Sequence, residues 1–199
     1  MGLGGWSRRP GLGKVGNDAI RRGLLAPLPA ECKGASLFGQ TMRIALYQPD
    51  IPQNTGTVLR LCACLGIEAH IIAPAGFTTS DRAFRRAGMD YLDAVALVRH
   101  TSWLAFESWR RTQRCRLVLF TTHATLSYLD YRYRTDDVLL FGRESAGVPA
   151  QVHDAADARL IIPMRPGLRS LNVAVAAAMT AGEALRQTSK TLSYGGPIA

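Results

Sequence analysis

Lysine is almost missing from this 199-residue chain. Lys14, Lys33 and Lys190 are the only three, and the rest of its 24 basic residues are arginine. Cysteine is scarce as well. Cys32, Cys62, Cys64 and Cys115 form no C-x-x-C pair and have no histidine at metal-ligand spacing, which argues against a zinc module or a disulfide scaffold. Reduced cysteines acting as small apolar residues, in a cytoplasmic setting, are the expectation. No apolar run approaches the roughly 18 residues of a membrane span, so no membrane partner is expected. The Gly-rich start with scattered Arg lacks the apolar stretch of a secretory signal. The stretch from Gly142 to Pro149 has neither the G-x-G-x-x-G spacing nor a G-K-[ST] ending, which disfavours a dinucleotide-binding fold and a P-loop there. No internal repeat is present.

What is there suits one domain. Hydrophobic residues make up 47% of the chain, enough for a core, and 15 acids against 24 bases leave a net charge of +9. Residues 1–41 hold +4 of that excess, through Arg8, Arg9, Lys14, Arg21, Arg22 and Lys33 against Asp18 and Glu31. Glycines interrupt every short apolar run there, and a disordered N-terminal extension is expected. The body, still basic through arginine, favours a polyanionic partner, because a guanidinium meets phosphate with two parallel hydrogen bonds.

From Met42 onward, short apolar segments alternate with helical ones. Strands are predicted at 43–47, 69–73, 94–98, 116–121, 138–142 and 159–162, and helices at about 53–65, 80–87, 102–112, 149–155 and 171–187. Alternation of this kind predicts an α/β fold with a largely parallel sheet flanked by helices. Val138-Leu139-Leu140-Phe141 is apolar at every position, as a strand covered on both faces must be. The last helix is rich in alanine. It suits either burial within the subunit or close contact with a second chain.

Three post-strand stretches hold the chemistry. In the first, Asn54 is expected to cap a helix, Gly56 to admit close approach at its first turn, and Arg60 to lie near the same end. An amide and a guanidinium placed so could meet a ribose and its phosphate. The second, Gly142-Arg143-Glu144-Ser145-Ala146-Gly147-Val148-Pro149, is a tight turn whose exposed backbone could read a nucleoside. The third runs from Ile162 to Asn172 with Pro163, Pro166 and Gly167 inside it. Ser170 is the expected N-cap, Asn172 lies in the first turn, and Arg165 and Arg169 are exposed. His70, His100, His123 and His153 stand without sequence partners and are read as structural or surface residues. Trp6, Trp103 and Trp109 are read as including packing residues.

Together and in this order, Asn54-x-Gly56-x-x-x-Arg60, Phe141-Gly142-x-Glu144-x-x-Gly147-Val148-Pro149 and Ile162-Pro163-Met164 through Ser170-Leu171-Asn172 resemble the three motifs of SPOUT (SpoU–TrmD) methyltransferases. Tyr47-x-Pro49-x-Ile51-Pro52-x-Asn54-Thr55-Gly56, Arg85-Arg86-Ala87-Gly88-x-Asp90-Tyr91 and Glu183-Ala184-x-Arg186-Gln187 are similar to the TrmL (YibK-like) branch, which acts on tRNA. The resemblance covers about Met42 to Lys190. It implies a C-terminal trefoil knot, a topology that periodicity could not reveal. It also implies a homodimer, S-adenosylmethionine as methyl donor without a metal, and the anticodon stem-loop of tRNA as partner.

The reaction so implied is 2′-O-methylation of the wobble cytidine or uridine, of the leucine-tRNA type. The resemblance assigns the cofactor to Phe120, Gly142, Glu144, Ile162, Met164, Ser170 and Leu171. Catalysis falls to Arg60, Asn54, Ser170 and Asn172, and RNA binding to Arg60, Arg85, Arg86, Arg165 and Arg169. One departure is Ala174, where many relatives carry serine. The domain is expected over 42–190, with a tail at 191–199. Two alternatives stay open at this point: methylation of another RNA site, and a knotted RNA-binding protein without catalysis.

Overall fold

The computed structural model of the protein describes residues 42–78 and 82–188, without the side chains of Ala83, Arg85, Met89 and Asp90. The expected N-terminal extension at 1–41, with Cys32 and Trp6, and the tail at 191–199 lie outside the described residues.

Seven strands form one sheet: β1 (Arg43–Tyr47), β2 (Glu68–Ile72), β3 (Leu97–His100), β4 (Arg116–Phe120), β5 (Leu126–Ser127), β6 (Asp137–Phe141) and β7 (Ala158–Ile161), in the spatial order β3-β2-β1-β6-β4-β7-β5. Every strand pairing among the described residues is parallel, as expected for the α/β class. The helices are α1 (Pro52–Leu65), α2 (Arg82–Gly88), α3 (Trp103–Thr112), α4 (Ala150–Ala155) and α5 (Val173–Thr188). A 3-10 turn at Met89–Asp93 follows α2 directly and displaces the strand expected at 94–98 to Leu97–His100. The two-residue β5 was not foreseen, because two residues carry no alternation to read.

The period-2 alternation of the strands sorts the core into two layers. Ile44, Leu46, Val118, Leu139, Phe141 and Leu160 pack on one face with Val58, Leu59 and Cys62 of α1 and with Ala174, Ala177, Ala181 and Ala184 of α5. Ala45, Tyr47, Leu117, Leu119, Val138 and Leu140 pack on the other face with Trp103 and Phe106 of α3 and Val152 of α4. All five residues of the central β6 are buried, and after Asp137 its sequence is an unbroken apolar run. One face of the alanine-rich α5 is therefore core of its own subunit, while Val175 and Met179 on another face stay exposed. Gln187 fastens the far end of α5. Its amide donates to the Tyr131 carbonyl (3.0 Å) and accepts from the Tyr133 N–H (3.0 Å).

The histidines of β2 and β3 correct the sequence reading. His70 and His100 are partners: His70 Nδ1 lies 2.9 Å from His100 Nε2, and His70 Nε2 lies 2.8 Å from Glu68 Oε1. His70 thus bridges Glu68 and His100 through its two ring nitrogens. Hydrogen bonds from His70 and from Arg43 hold the Glu68 carboxyl down to about 2, while burial lowers His100. Trp109 packs against both rings, so Trp103 and Trp109 are packing residues, as expected. The cysteines fit the inert reading: burial pushes the Cys62 thiol up to about 12, and Cys115 is raised by burial too. No helix among the described residues is long and apolar enough to cross a membrane.

Gly56 sits where α1 meets α2. A Cβ there would lie 2.7 Å from Ala87 Cβ, 2.8 Å from the Phe84 carbonyl oxygen and 2.9 Å from Gly88 N. Gly56→Ala gains roughly 1 kcal/mol of helix propensity. Two of its three clashes are with backbone, which cannot rotate aside, so overpacking at the upper end of about 1–3 kcal/mol outweighs that gain. The expected outcome is a lower midpoint in thermal unfolding. A raised midpoint would show that α2 can move away freely.

Candidate functional site

The parallel register sets Leu46, Phe141, Phe120 and Leu160 in one row near the carboxyl ends of β1, β6, β4 and β7. The chain order reverses between β1 and β6, and ligands of open α/β sheets gather at such a switch point, beyond the carboxyl ends of the strands. A cavity of about 560 Å³ opens there, a size suited to a small-molecule ligand. Its floor is apolar: the Phe120 and Phe141 rings stack with centroids 4.9 Å apart and planes at 9°.

Two backbone-rich loops form the walls. After β6 the chain turns back on itself, with Arg143 N–H donating to the Gly147 carbonyl (3.0 Å) and Gly147 N–H to the Arg143 carbonyl (2.8 Å). A Cβ at Gly142 would lie 2.7 Å from the Gly147 carbonyl carbon, so this turn closes only on glycine. Gly147 has φ +64°, a left-handed conformation that glycine adopts without strain. The second wall is the segment after β7, from which Ile162, Met164, Arg169, Ser170, Leu171 and Asn172 line the cavity.

A chain of polar contacts joins these loops to the one after β1. Asp50 N–H donates to Glu144 Oε2 (3.2 Å), and Glu144 N–H returns a bond to Asp50 Oδ1 (3.2 Å). The Ser145 hydroxyl donates to the other Asp50 oxygen. Asn54 Nδ2 donates to Glu144 Oε1 (3.1 Å), and Asn172 Nδ2 donates to Asn54 Oδ1 (2.8 Å). Asn172 Oδ1 then accepts from the N–H groups of Ala174 (2.8 Å) and Val175 (3.4 Å). Two carboxyl groups so close titrate unequally: burial and the neighbouring Asp50 raise Glu144, and Asp50 is held down to about 2 by its bond with Glu144.

All seven expected cofactor residues meet in this one cavity: Phe120, Gly142, Glu144, Ile162, Met164, Ser170 and Leu171 line it, as do Asn54, Asn172 and Arg169. Three local expectations need correction. Ile51, not Asn54, occupies the cap position of α1, because Pro52 opens the helix and leaves Asn54 in its first turn, free to face Glu144 and Asn172. Asn172, not Ser170, caps α5, whose first residue is Val173. Arg60 is not among the residues that line the cavity. Six residues beyond Asn54 place it roughly 9 Å along α1 and about a third of a turn round from it. There its guanidinium lies 4.9 Å from the Tyr91 ring centroid.

Arg165 and Arg86 are exposed and away from the cavity lining, while the Arg85 side chain lies outside the described residues. Sequence reasoning passed over Asp50, which fills an unspecified position of the Tyr-x-Pro-x-Ile stretch, and Ser145 beside Glu144. It also missed His123 and His153, whose rings lie 6.4 Å apart on the cavity lining. An acid two residues before a Pro-opened helix was the one available signal for Asp50.

Residues 41–182 match the model of the SpoU rRNA Methylase family. The tRNA (cytidine(34)-2'-O)-methyltransferase of Beijerinckia indica is 68% identical over 144 residues, 72% of this chain and 90% of that protein. The protein of the same name from Escherichia coli K12 is 41% identical over 159 residues, 79% of this chain and 98% of its own length. A solved structure concerned with the 2-OH methylation of C/U34 on tRNA superposes with a TM-score of 0.71 at 42% identity, covering 74% of this chain and 96% of that one. The SpoU methyltransferase AviRb from Streptomyces viridochromogenes, solved in complex with AdoMet, has a TM-score of 0.69 at 26% identity and covers 74% of this chain and 58% of its own.

Gly142→Ala is expected to spring the turn open without unfolding the sheet. Calorimetric titration with S-adenosylmethionine, the cofactor expected from the sequence, should show affinity weakened about tenfold or more, with thermal unfolding still cooperative. Unchanged affinity would mean that the turn does not shape the binding wall.

Proposed function

The chain belongs to the SpoU rRNA methylase family, and from that premise we propose that it transfers a methyl group from S-adenosylmethionine to the ribose 2′-oxygen of the wobble nucleotide, cytidine or uridine, of tRNA, leucine tRNA included. The observation that carries this reading is the junction of three distant motif stretches in one cavity through Asp50, Glu144, Asn54 and Asn172. Relatives named for that reaction at position 34, matching up to 68% of aligned residues over most of their length, set the substrate.

The cavity suits the cofactor. Stacked Phe120 and Phe141 offer an apolar floor to a planar base, and the walls present backbone groups, with glycine at position 142 letting the turn close against Gly147. Phe120, Gly142, Ile162, Met164, Ser170 and Leu171 would hold it, with Glu144 in the polar wall. When bound, it supplies an already activated sulfonium methyl, so the transfer calls for no metal. The protein's part is alignment. Asn54 and Asn172 orient the ribose oxygen, and Arg169, Arg165, Arg86 and Arg85 meet RNA phosphates, with Ser170 at the mouth. A guanidinium is a donor and offers no acceptor, so Arg60 holds ribose and phosphate, and the hydroxyl proton leaves to phosphate or water.

The reading includes a homodimer, supported by the exposed apolar side chains of Leu168, Leu171, Val175 and Met179 beside the cavity. Because Arg60 lies outside its own chain's cavity, its role requires approach from another copy. The trefoil knot belongs to the same reading, supported by the SPOUT-type fold and by the grip of Gln187 on the 131–133 segment. The catalytic domain is assigned to residues 42–190, and the compartment, on the strength of a tRNA substrate, to the cytoplasm.

Labelled S-adenosylmethionine incubated with total tRNA, followed by mass spectrometry of the product nucleosides, tests the reaction. Methylation at the wobble 2′-oxygen is the expected result, and label confined to another site would defeat the substrate assignment. In the same assay Arg60→Ala should lower turnover about a hundredfold or more, with cofactor affinity kept within about threefold. Near-normal turnover in that variant would remove Arg60 from the mechanism.

A further inference from the structure

We propose that Asp50 is a positioning residue for methyl transfer: its carboxylate holds the Glu144 turn so that Glu144 fixes which way the Asn54 and Asn172 amides face. The inference rests on the proposed function for its catalytic meaning, while the clamp itself rests on geometry.

The polarity of the chain starts at an acceptor. A carboxylate can only accept, so Glu144 Oε1 compels Asn54 to present Nδ2 to it. The Asn54 oxygen is thereby turned to Asn172, which must answer with its own Nδ2. Asn172 Oδ1 is left for the open N–H groups at the start of α5. Each amide nitrogen carries a second hydrogen that these bonds do not use. Both asparagines line the cavity, so the pair offers N–H donors where the ribose oxygen must be held. Reversal of either amide would offer a carbonyl instead.

The orientation of the Glu144 carboxylate sets all of this, and Asp50 is what holds Glu144. The bond pair between Asp50 and Glu144 is reciprocal, backbone to side chain each way, and Ser145 adds a third contact to the same carboxylate. The cost of the arrangement is two acids side by side. Arg143 flanks them on the same turn, its guanidinium directed at the Gln48 carbonyl. His123, His153 and Arg169 are the other charged or titratable side chains on the cavity lining. Acid therefore reaches Glu144 before Asp50, since burial and Asp50 raise the one while the other is held low. A protonated Glu144 no longer compels the amide order, and transfer should be lost as pH falls through its titration. Asn at position 50 removes the neighbouring charge, lowers the Glu144 titration and moves that loss to more acid pH.

The test follows the Glu144 side-chain carboxyl by carbon-13 NMR in uniformly labelled protein, with the signal assigned through Glu144→Gln. Parallel assays measure kcat against pH. In Asp50→Asn the Glu144 midpoint should fall by about half a pH unit or more, with the acidic limb of kcat moving the same way. In Asp50→Ala kcat should fall about tenfold while the KM for tRNA and the affinity for S-adenosylmethionine stay within about threefold. Asp50→Asn, equal in size to the native residue, decides the matter if Asp50→Ala does not unfold cooperatively. An unmoved midpoint and limb in Asp50→Asn, or wild-type kcat in Asp50→Ala, overturns the proposal. If the wild-type protein methylates no tRNA, the functional reading fails, and the NMR midpoint still decides the clamp.

Discussion

Glu144 is the group on which the site hangs. Its two oxygens take hydrogen bonds from two different positions of the segment that follows β1, Asp50 and Asn54, and through Asn54 it reaches the start of α5. The contacts span 94, 90 and 118 residues of sequence. A hydrogen bond to a charged acceptor contributes about 1.5–3 kcal/mol, and a half-buried carboxylate left without donors is destabilising by as much. Glu144 therefore punishes any arrangement in which the three segments fail to meet.

That single constraint explains how the arginines and the cavity divide the work. The cavity floor is aromatic and its walls are largely backbone, so it can hold a small, charged, partly aromatic ligand without burying an unpaired side-chain charge. Arg143, in the wall, directs its guanidinium at the Gln48 carbonyl, Arg169 lies on the rim, and Arg165, Arg86 and Arg60 are exposed away from the lining. A polyanion is bound best by solvated guanidinium groups that never change charge, and a methyl donor best by a preformed and rigid cup. A chain with almost no lysine in its body meets both demands.

The framework was legible in the sequence because it depends on local pattern. Strand β1 was placed at its observed bounds, and five helices were found to within about two residues, since alternating apolar runs and proline or glycine punctuation are written locally. The motif residues were legible through resemblance, and most of them do meet in one cavity. What was not legible depends on direction. Asn54 read as a cap, yet Pro52 starts the helix two residues earlier and turns the amide toward Glu144. Arg60 read as a neighbour of Asn54, yet six helical residues carry it to another face beside Tyr91. His70 and His100, 30 residues apart, read as lone histidines, although parallel strand pairing brings their rings within hydrogen-bond distance. Asp50 was passed over because its partners lie on a turn more than 90 residues away.

The core and the chemistry are joined through strand register. Leu46, Phe141, Phe120 and Leu160 lie level because parallel pairing aligns β1, β6, β4 and β7, and the loops begin just beyond that row. A slip of one residue in β6 would shift its loop by roughly 3.3 Å and turn Phe141 from one core layer to the other. Either change alone would separate Glu144 from Asn54. The two-layer alternation of Val138 and Leu140 against Leu139 and Phe141 forbids that slip, because each set has its own helices to pack against. Apolar residues that touch no substrate thus hold the register, the register holds the loops level, and the level loops let one carboxylate orient two amides.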